Sequence, residues 1–246
     1  MPAPRTLILR TAGTNCDREL AHAFELAGAT TQTVHISQLI ENPAQIAGFD
    51  LIGFPGGFSY GDDIASGRIY ANLLRHRLHE PLREAAKRGV PMIGICNGFQ
   101  IMVKLGLLPF PQEDGQPATL ADNTSGRFQC RWEGMETDPA SVCVWTQGMQ
   151  TFDLPIAHGE GRFLASPEVL ATLKKNGQIA LRYQGDPNGS TDRIAGICDA
   201  TGRIFGLMPH PERYTLATHH PQWTRRPAET VTPGLRMFQN AVAAVK

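Results

Sequence analysis

An α/β fold is predicted, with a mostly parallel central sheet between two layers of helices and a small antiparallel extension. Three observations predict it. Short apolar runs alternate with amphipathic stretches as far as Leu105. The runs at residues 50–54 and 90–95 are apolar almost throughout, as strands buried on both faces are. Beyond Ser125 the pattern changes to strand-like runs with little helix between them.

Taken in order, residues 6–9 form a strand that ends in the loop Thr11-Ala12-Gly13-Thr14-Asn15. Residues 16–28 place Leu20, Ala23, Phe24 and Ala27 on one helical face, and Gly28 stops that helix. Residues 31–36 are rich in β-branched side chains and read as a second strand. Residues 50–54 make a third, closed by Pro55-Gly56-Gly57. A helix is expected over 69–88, with Pro81 as the point that divides it. Residues 90–95 form a strand and 97–105 a helix ended by Gly106. Residues 109–125 read as a loop. Further strands are expected at 127–132, 141–146 and 178–183. Residues 166–175 read as a helix with Ser166 as N-cap and Pro167 first. Residues 193–198 and 203–208 pair as a hairpin through the turn at 199–202. The segment 218–233 is irregular, and 234–246 carries Leu235, Phe238, Val242 and Val245 on one stripe.

The 246 residues fit one domain, 1–246, better than two. With 41% hydrophobic and 19% charged residues, disorder is excluded as the default. The 23 basic residues balance the 23 acidic ones, which argues against a nucleic-acid binder. Cys16, Cys96, Cys130, Cys143 and Cys198 are odd in number and form no C-x-x-C pair. They read as reduced thiols of a cytoplasmic protein, with no metal site among them. Neither a secretory signal nor a membrane-length apolar run is apparent.

The most specific local feature is Gly94-Ile95-Cys96-Asn97-Gly98, between an apolar strand and a helix. A nucleophile at such a junction sits on a sharp, strained turn, and glycines two places to either side let the backbone pack close. The turn is expected to expose the nucleophile at the carboxyl end of the sheet, and the helix N-terminus behind it favours thiolate. An ordinary buried cysteine is the alternative for any lone thiol. Acyl transfer by a thiol needs a base and an oxyanion site. His210, between Pro209 and Pro211, is the best base, and Glu212 is its orienting partner if the segment is extended, where i and i+2 share a side. The expected oxyanion donors are the backbone N–H groups of Asn97 and Gly57. Of the other histidines, His22, His76 and His79 fall on helices, His35 ends a strand, and His219 with His220 lacks a third ligand at metal-like spacing.

The motifs Phe54 to Asp63, Gly94 to Gln100 and Met208 to Arg213 together resemble those of the class I, triad-type glutamine amidotransferases, a flavodoxin-like fold. The segments Gly13 to Glu19, Gly57 to Asp62 and Ile156 to Phe163 narrow the resemblance to the glutaminase subunits of phosphoribosylformylglycinamidine synthase. The resemblance implies that Cys96, His210 and Glu212 are catalytic. Glutamine would be cleaved through a γ-glutamyl thioester, and the ammonia passed to a synthetase subunit in de novo purine synthesis. Gln100, Asp62 and His158 are candidates for substrate contact, with Glu160 and Arg162 near them. No cofactor is expected in this chain, which has no G-x-x-x-x-G-K-[ST] loop. ATP and Mg²⁺ are expected in the synthetase subunit, and a small additional subunit is a further expected partner. Low activity is expected of the isolated chain, on the argument that the oxyanion loop is gated by its partner. The alternatives are the glutaminase subunit of another amidotransferase, a PfpI-like cysteine hydrolase, or a non-catalytic assembly subunit. PfpI-like proteins place the histidine soon after the nucleophile, and residues 97–157 contain none.

Overall fold

The computed structural model describes residues 2–111, 115–227 and 229–245. Strand β1 (Arg5–Arg10) leads to helix α1 (Asp17–Leu26), β2 (Thr30–His35) and the short α2 (Ile36–Glu41). Then come β3 (Leu51–Phe54), α3 (Arg68–Arg77), α4 (His79–Lys87), β4 (Met92–Ile95) and α5 (Asn97–Leu105). The second half holds β5 (Ala118–Ala121), β6 (Gln129–Thr137), β7 (Thr151–His158), β8 (Arg162–Ala165), α6 (Pro167–Lys175), β9 (Ile179–Tyr183), β10 (Ile194–Cys198), β11 (Ile204–Leu207) and α7 (Pro233–Ala243).

Among the described residues nine strands form one sheet, in the order β2-β1-β3-β4-β11-β10-β9-β6-β7. The first five run parallel, and the joins from β11 to β7 are antiparallel. A separate ribbon pairs β5 with β8. Every residue of β3, β4 and β11 is buried, as a sheet covered on both faces demands. Alternation along β11 shows the two coverings. Gly206 faces α5, where a Cβ would lie 2.1 Å from Phe99. Phe205 faces the other way, onto Trp145, which packs edge-on against Phe24 of α1 and Phe238 of α7.

Several expectations change in detail. The helix expected over 69–88 breaks at Leu78, leaving Pro81 in the first turn of α4, where its missing N–H costs nothing. Residues 141–146 form no strand. Val142 N–H donates to Gly177 O and Val144 N–H to Gly202 O, so the segment crosses two turns and meets no ladder. Its apolar content serves instead to bury Trp145, whose Nε1–H donates to Arg203 O. Strands β5, β7 and β8 were not expected, and the loop read over 109–125 contains β5, with residues 112–114 outside the described part. The irregular reading of 218–233 holds for short 3-10 turns at Ala217–His219 and Trp223–Arg225. Among the described residues no helix is long and apolar enough to cross a membrane.

The parallel register brings the carboxyl ends of β1, β3, β4 and β11 side by side along one edge. Close approach of α5 to that edge depends on Gly98, where a Cβ would stand 1.9 Å from the carbonyl oxygen of Phe54. The obstruction is backbone, which cannot turn aside. Gly98→Ala is expected to destabilise the fold by about 1 to 3 kcal/mol. A fall in the denaturant midpoint at unchanged slope would register this, and an unchanged midpoint would contradict the packing described.

Candidate active site

Cys96 is the residue between β4 and α5. Its backbone lies at φ 52° and ψ −107°, a conformation that L-residues rarely adopt. Its N–H donates to Leu207 O (2.8 Å), and its carbonyl accepts from Gln100 N–H (3.1 Å), so the turn is held from the neighbouring strand and from the helix. The thiol was expected to stand exposed. It is only 7% exposed, on the floor of a cavity of about 190 Å³ lined also by Asn15, Cys16, Gly57, Asp62, His158 and His210. Sγ lies 3.6 Å from the carbonyl oxygen of Ala157, in the cavity wall made by the end of β7.

His210 follows β11 and is anchored by its N–H donating to Pro155 O (2.8 Å). Nδ1–H donates to Glu212 Oε1 at 2.7 Å, with both side chains almost wholly buried. Glu212 reaches the ring through a 3-10 turn, Pro211–Arg213, and not along the extended segment assumed from sequence. Pro211 opens that turn, so the chain curls and brings i+2 back onto the ring. Nε2 is buried without a hydrogen-bond partner among the described residues. Burial opposes charge on this imidazole, yet the Glu212 carboxylate and the thiols of Cys16 and Cys96 outweigh it and raise its pKa well above 6.5. Cys96, His210 and Glu212 are thus brought together from two separate strand ends.

The remaining candidates have different surroundings. Gly57 lines the cavity beside Cys96, and the N–H of Asn97 lies in the first turn of α5, where helix donors have no internal partner. Asp62 lines the cavity too, but its oxygens accept from Ser66 Oγ–H, Gly67 N–H and Asn97 Nδ2–H. Gln100 accepts from Asn97 Nδ2–H and donates to Glu160 O, bracing the elbow against the loop after β7. His158 lines the cavity at the end of β7 with its ring turned into the interior: Nδ1–H donates to Asn123 Oδ1 (3.2 Å), and Nε2 accepts from Tyr183 O–H (3.5 Å). Glu160 lines the cavity and accepts from Ser66 N–H, whereas Arg162 is not among the lining residues.

Sequence reasoning assigned no role to Cys16 or Arg213, which both line the cavity. Arg213 Nη2–H donates to Cys16 Sγ at 3.0 Å. A usable signal existed, because Cys16 follows β1, whose carboxyl end lies on the same edge of the sheet. Cys16, His210 and Glu212 bring one donor atom each within 4.8 Å of one another, the spacing of a metal cluster. Glu212 is already bonded to the imidazole, and the Arg213 guanidinium places a positive charge against the sulfur that a metal would need. Triad geometry with an added thiol describes the group better than a metal centre.

A family model described as CobB/CobQ-like glutamine amidotransferase domain matches residues 3–245. Phosphoribosylformylglycinamidine synthase subunit PurQ of Dehalococcoides mccartyi is 49% identical over 249 residues, spanning 98% of this chain and 98% of that protein. The protein of the same description from Methanococcus maripaludis is 42% identical over 263 residues, spanning 97% of this chain and 96% of the relative. Among solved structures, a chain of PurLQS from Thermotoga maritima superposes with a TM-score of 0.77 at 32% identity, over 99% of this chain and 100% of that one. The glutaminase domain of Trypanosoma brucei CTPS with bound acivicin shares the fold, with a TM-score of 0.59 at 16% identity over 98% and 94% of the two chains.

Burial, with the nearby His210, lowers the His158 pKa from 6.5 to about 4. The unfolded chain therefore takes up a proton between those values that the folded chain refuses. Stability must fall as pH drops from about 6.5 to about 4, by roughly 3 kcal/mol in full. Urea unfolding of the wild type and of His158→Gln at pH 7 and pH 4.5 checks this. The variant is expected to lose less on acidification, and equal losses would count against a neutral buried imidazole.

Proposed function

This chain belongs to the CobB/CobQ-like glutamine amidotransferases, and from that premise we propose that Cys96, His210 and Glu212 carry out its glutaminase reaction. The chain is the glutaminase subunit of a phosphoribosylformylglycinamidine synthase and works in complex with a synthetase subunit. The observation that supports the residue assignment is the convergence of a strained strand-end thiol and a buried histidine–carboxylate pair in one small cavity.

His210 takes the Cys96 proton, and the sulfur attacks the side-chain amide carbon of glutamine. Backbone N–H groups of Gly57 and Asn97 receive the oxyanion. The imidazolium, held charged by Glu212, gives its proton to the departing nitrogen, so ammonia leaves and a γ-glutamyl thioester remains. Neutral His210 then activates water, which cleaves the thioester to glutamate and restores the thiol. Asp62 and Gln100 line the pocket as groups for the amino-acid end of the substrate. His158, bonded on both ring nitrogens, acts from behind as a support for the wall. The synthetase subunit, with ATP and Mg²⁺, consumes the ammonia to convert formylglycinamide ribonucleotide to the amidine. A small additional subunit completes the assembly, which works in the cytoplasm. No cofactor is assigned to this chain.

Cys96→Ser is expected to lower glutaminase turnover by at least about 10³-fold with the circular dichroism spectrum unchanged. Mass spectrometry after treatment with a glutamine-mimicking electrophile should find the label on Cys96. Label on the neighbouring Cys16 would overturn the nucleophile assignment. Glu212→Gln removes the carboxylate that raises the His210 pKa. The imidazolium is then lost at lower pH, so the alkaline limb of kcat/KM should move to lower pH. A limb that stays in place would contradict the role given to Glu212.

A further inference from the structure

The loop 11–16, between β1 and α1, grips the Gly56–Gly57 peptide from behind. Thr14 and Gly57 form an isolated antiparallel bridge. Phe58 N–H donates to Gly13 O at 2.9 Å, while Asn15 and Cys16 N–H donate to Gly56 O at 3.4 and 3.3 Å. The last two are long, so the carbonyl is held by two weak bonds converging on one oxygen. In an antiparallel pair, a residue flanked in this way turns its own N–H away from the partner segment. Planarity of the trans peptide says the same, because C=O and the following N–H point in opposite directions. With Gly56 O on the loop, Gly57 N–H is aimed to the other side, which is the cavity that it shares with Cys96. Among the described residues that N–H donates to no carbonyl.

Two glycines let the segments touch. Gly57 has φ 144°, and a Cβ on it would stand 2.6 Å from Gly13 O. Gly13 has φ 84°, and a Cβ there would stand 2.0 Å from Phe58 O. The Cys16 side chain adds a second tie. Its S–H donates to Asn15 Oδ1 (3.2 Å), and its sulfur accepts from Arg213 Nη2–H, next in sequence to Glu212. Arg213 is steadied in turn by Glu19 of α1, at 3.6 Å.

We propose that the loop 11–16 is a latch that presets the oxyanion hole: Asn15 and Cys16 hold the Gly56 carbonyl back so that Gly57 N–H faces the Cys96 thiol before glutamine arrives, and Cys16 ties the latch through Arg213 to the turn that carries His210 and Glu212. The inference rests on the glutaminase reading and deepens it. Gly13, Asn15 and Cys16 are positioning residues for the oxyanion donor, and the Cys16 thiol stands beside His210 as well. The isolated chain already holds the peptide orientation that a partner-gated loop would withhold.

Two probes separate the latch from a general structural role. The γ-aldehyde analogue of glutamine forms a hemithioacetal whose oxygen needs the hole. Iodoacetamide alkylates a thiol by displacement and develops no oxyanion. In Gly13→Ala, glutaminase kcat with the synthetase present and affinity for the aldehyde should each fall about 10- to 100-fold, while KM moves little. The rate of Cys96 alkylation by iodoacetamide should stay within about twofold. Parallel loss of both reactions, or loss of neither, overturns the proposal. The wild type gives a test that needs no variant. On binding the aldehyde, the Gly57 amide resonance should move downfield while those of Asn15 and Cys16 stay in place. Large movement of the Asn15 and Cys16 amides would mean that the Gly56 carbonyl swings off the latch, and would also overturn it. Failure of the underlying reading would look different, as wild-type Cys96 would not react with either probe.

Discussion

Cys96 is held at φ 52° and ψ −107°, and the rest of the site follows from that single backbone strain. Such a conformation costs roughly 1–3 kcal/mol and persists only where its surroundings over-determine it. Here they do. Burial of β4 between β3 and β11 fixes one side of the turn, and the first turn of α5 fixes the other. Gly94 and Gly98 let strand and helix approach more closely than any side chain would permit. The strain turns the thiol out of the sheet and places it at the foot of the helix, where the first-turn backbone N–H groups have no partner within the helix.

Electrostatics explains why the partner of that thiol is so deeply buried. An isolated imidazole at 2% exposure would shed its proton, because burial penalises charge. Glu212 reverses this, and it can do so only because it shares the same dry environment, where a carboxylate acts with little screening. Both residues hang from one short turn between prolines and β11, so the pair moves as a unit. Arg213, the next residue, faces Cys16 and Glu19 and balances negative charge on the far side of the site. The histidine of β7, His158, experiences the opposite regime. With no carboxylate against it, burial wins and it stays neutral.

Much of this was legible from residue order. The apolar runs that became β1, β3, β4 and β11, the helix beginning at Asn97, and the Ser166 cap of α6, whose hydroxyl accepts from Val169 N–H, all follow from local periodicity and capping chemistry. The second half was read less well. Residues 141–146 have strand composition but cross two turns to bury Trp145, and β7 contains Pro155 yet pairs along its length with β6. In both places the deciding contacts come from segments far away in sequence, against which local preference is weak.

Sequence by itself determined which residues are the candidates for the chemistry: a cysteine between glycines at a strand–helix junction, and a histidine with a glutamate two residues on, beside prolines. These are properties of a few adjacent residues, and the chemistry of each side chain travels with it. Only the tertiary structure decided their distances, the floor position of a thiol expected to be exposed, the turn that brings Glu212 back onto the ring, and the company of Cys16 and Arg213. The physical reason is that the site is assembled from the ends of four strands, β1, β3, β4 and β11, which become neighbours through sheet order and register. Hydrogen bonds between strands set that order, and they join residues as far apart as Cys96 and Leu207.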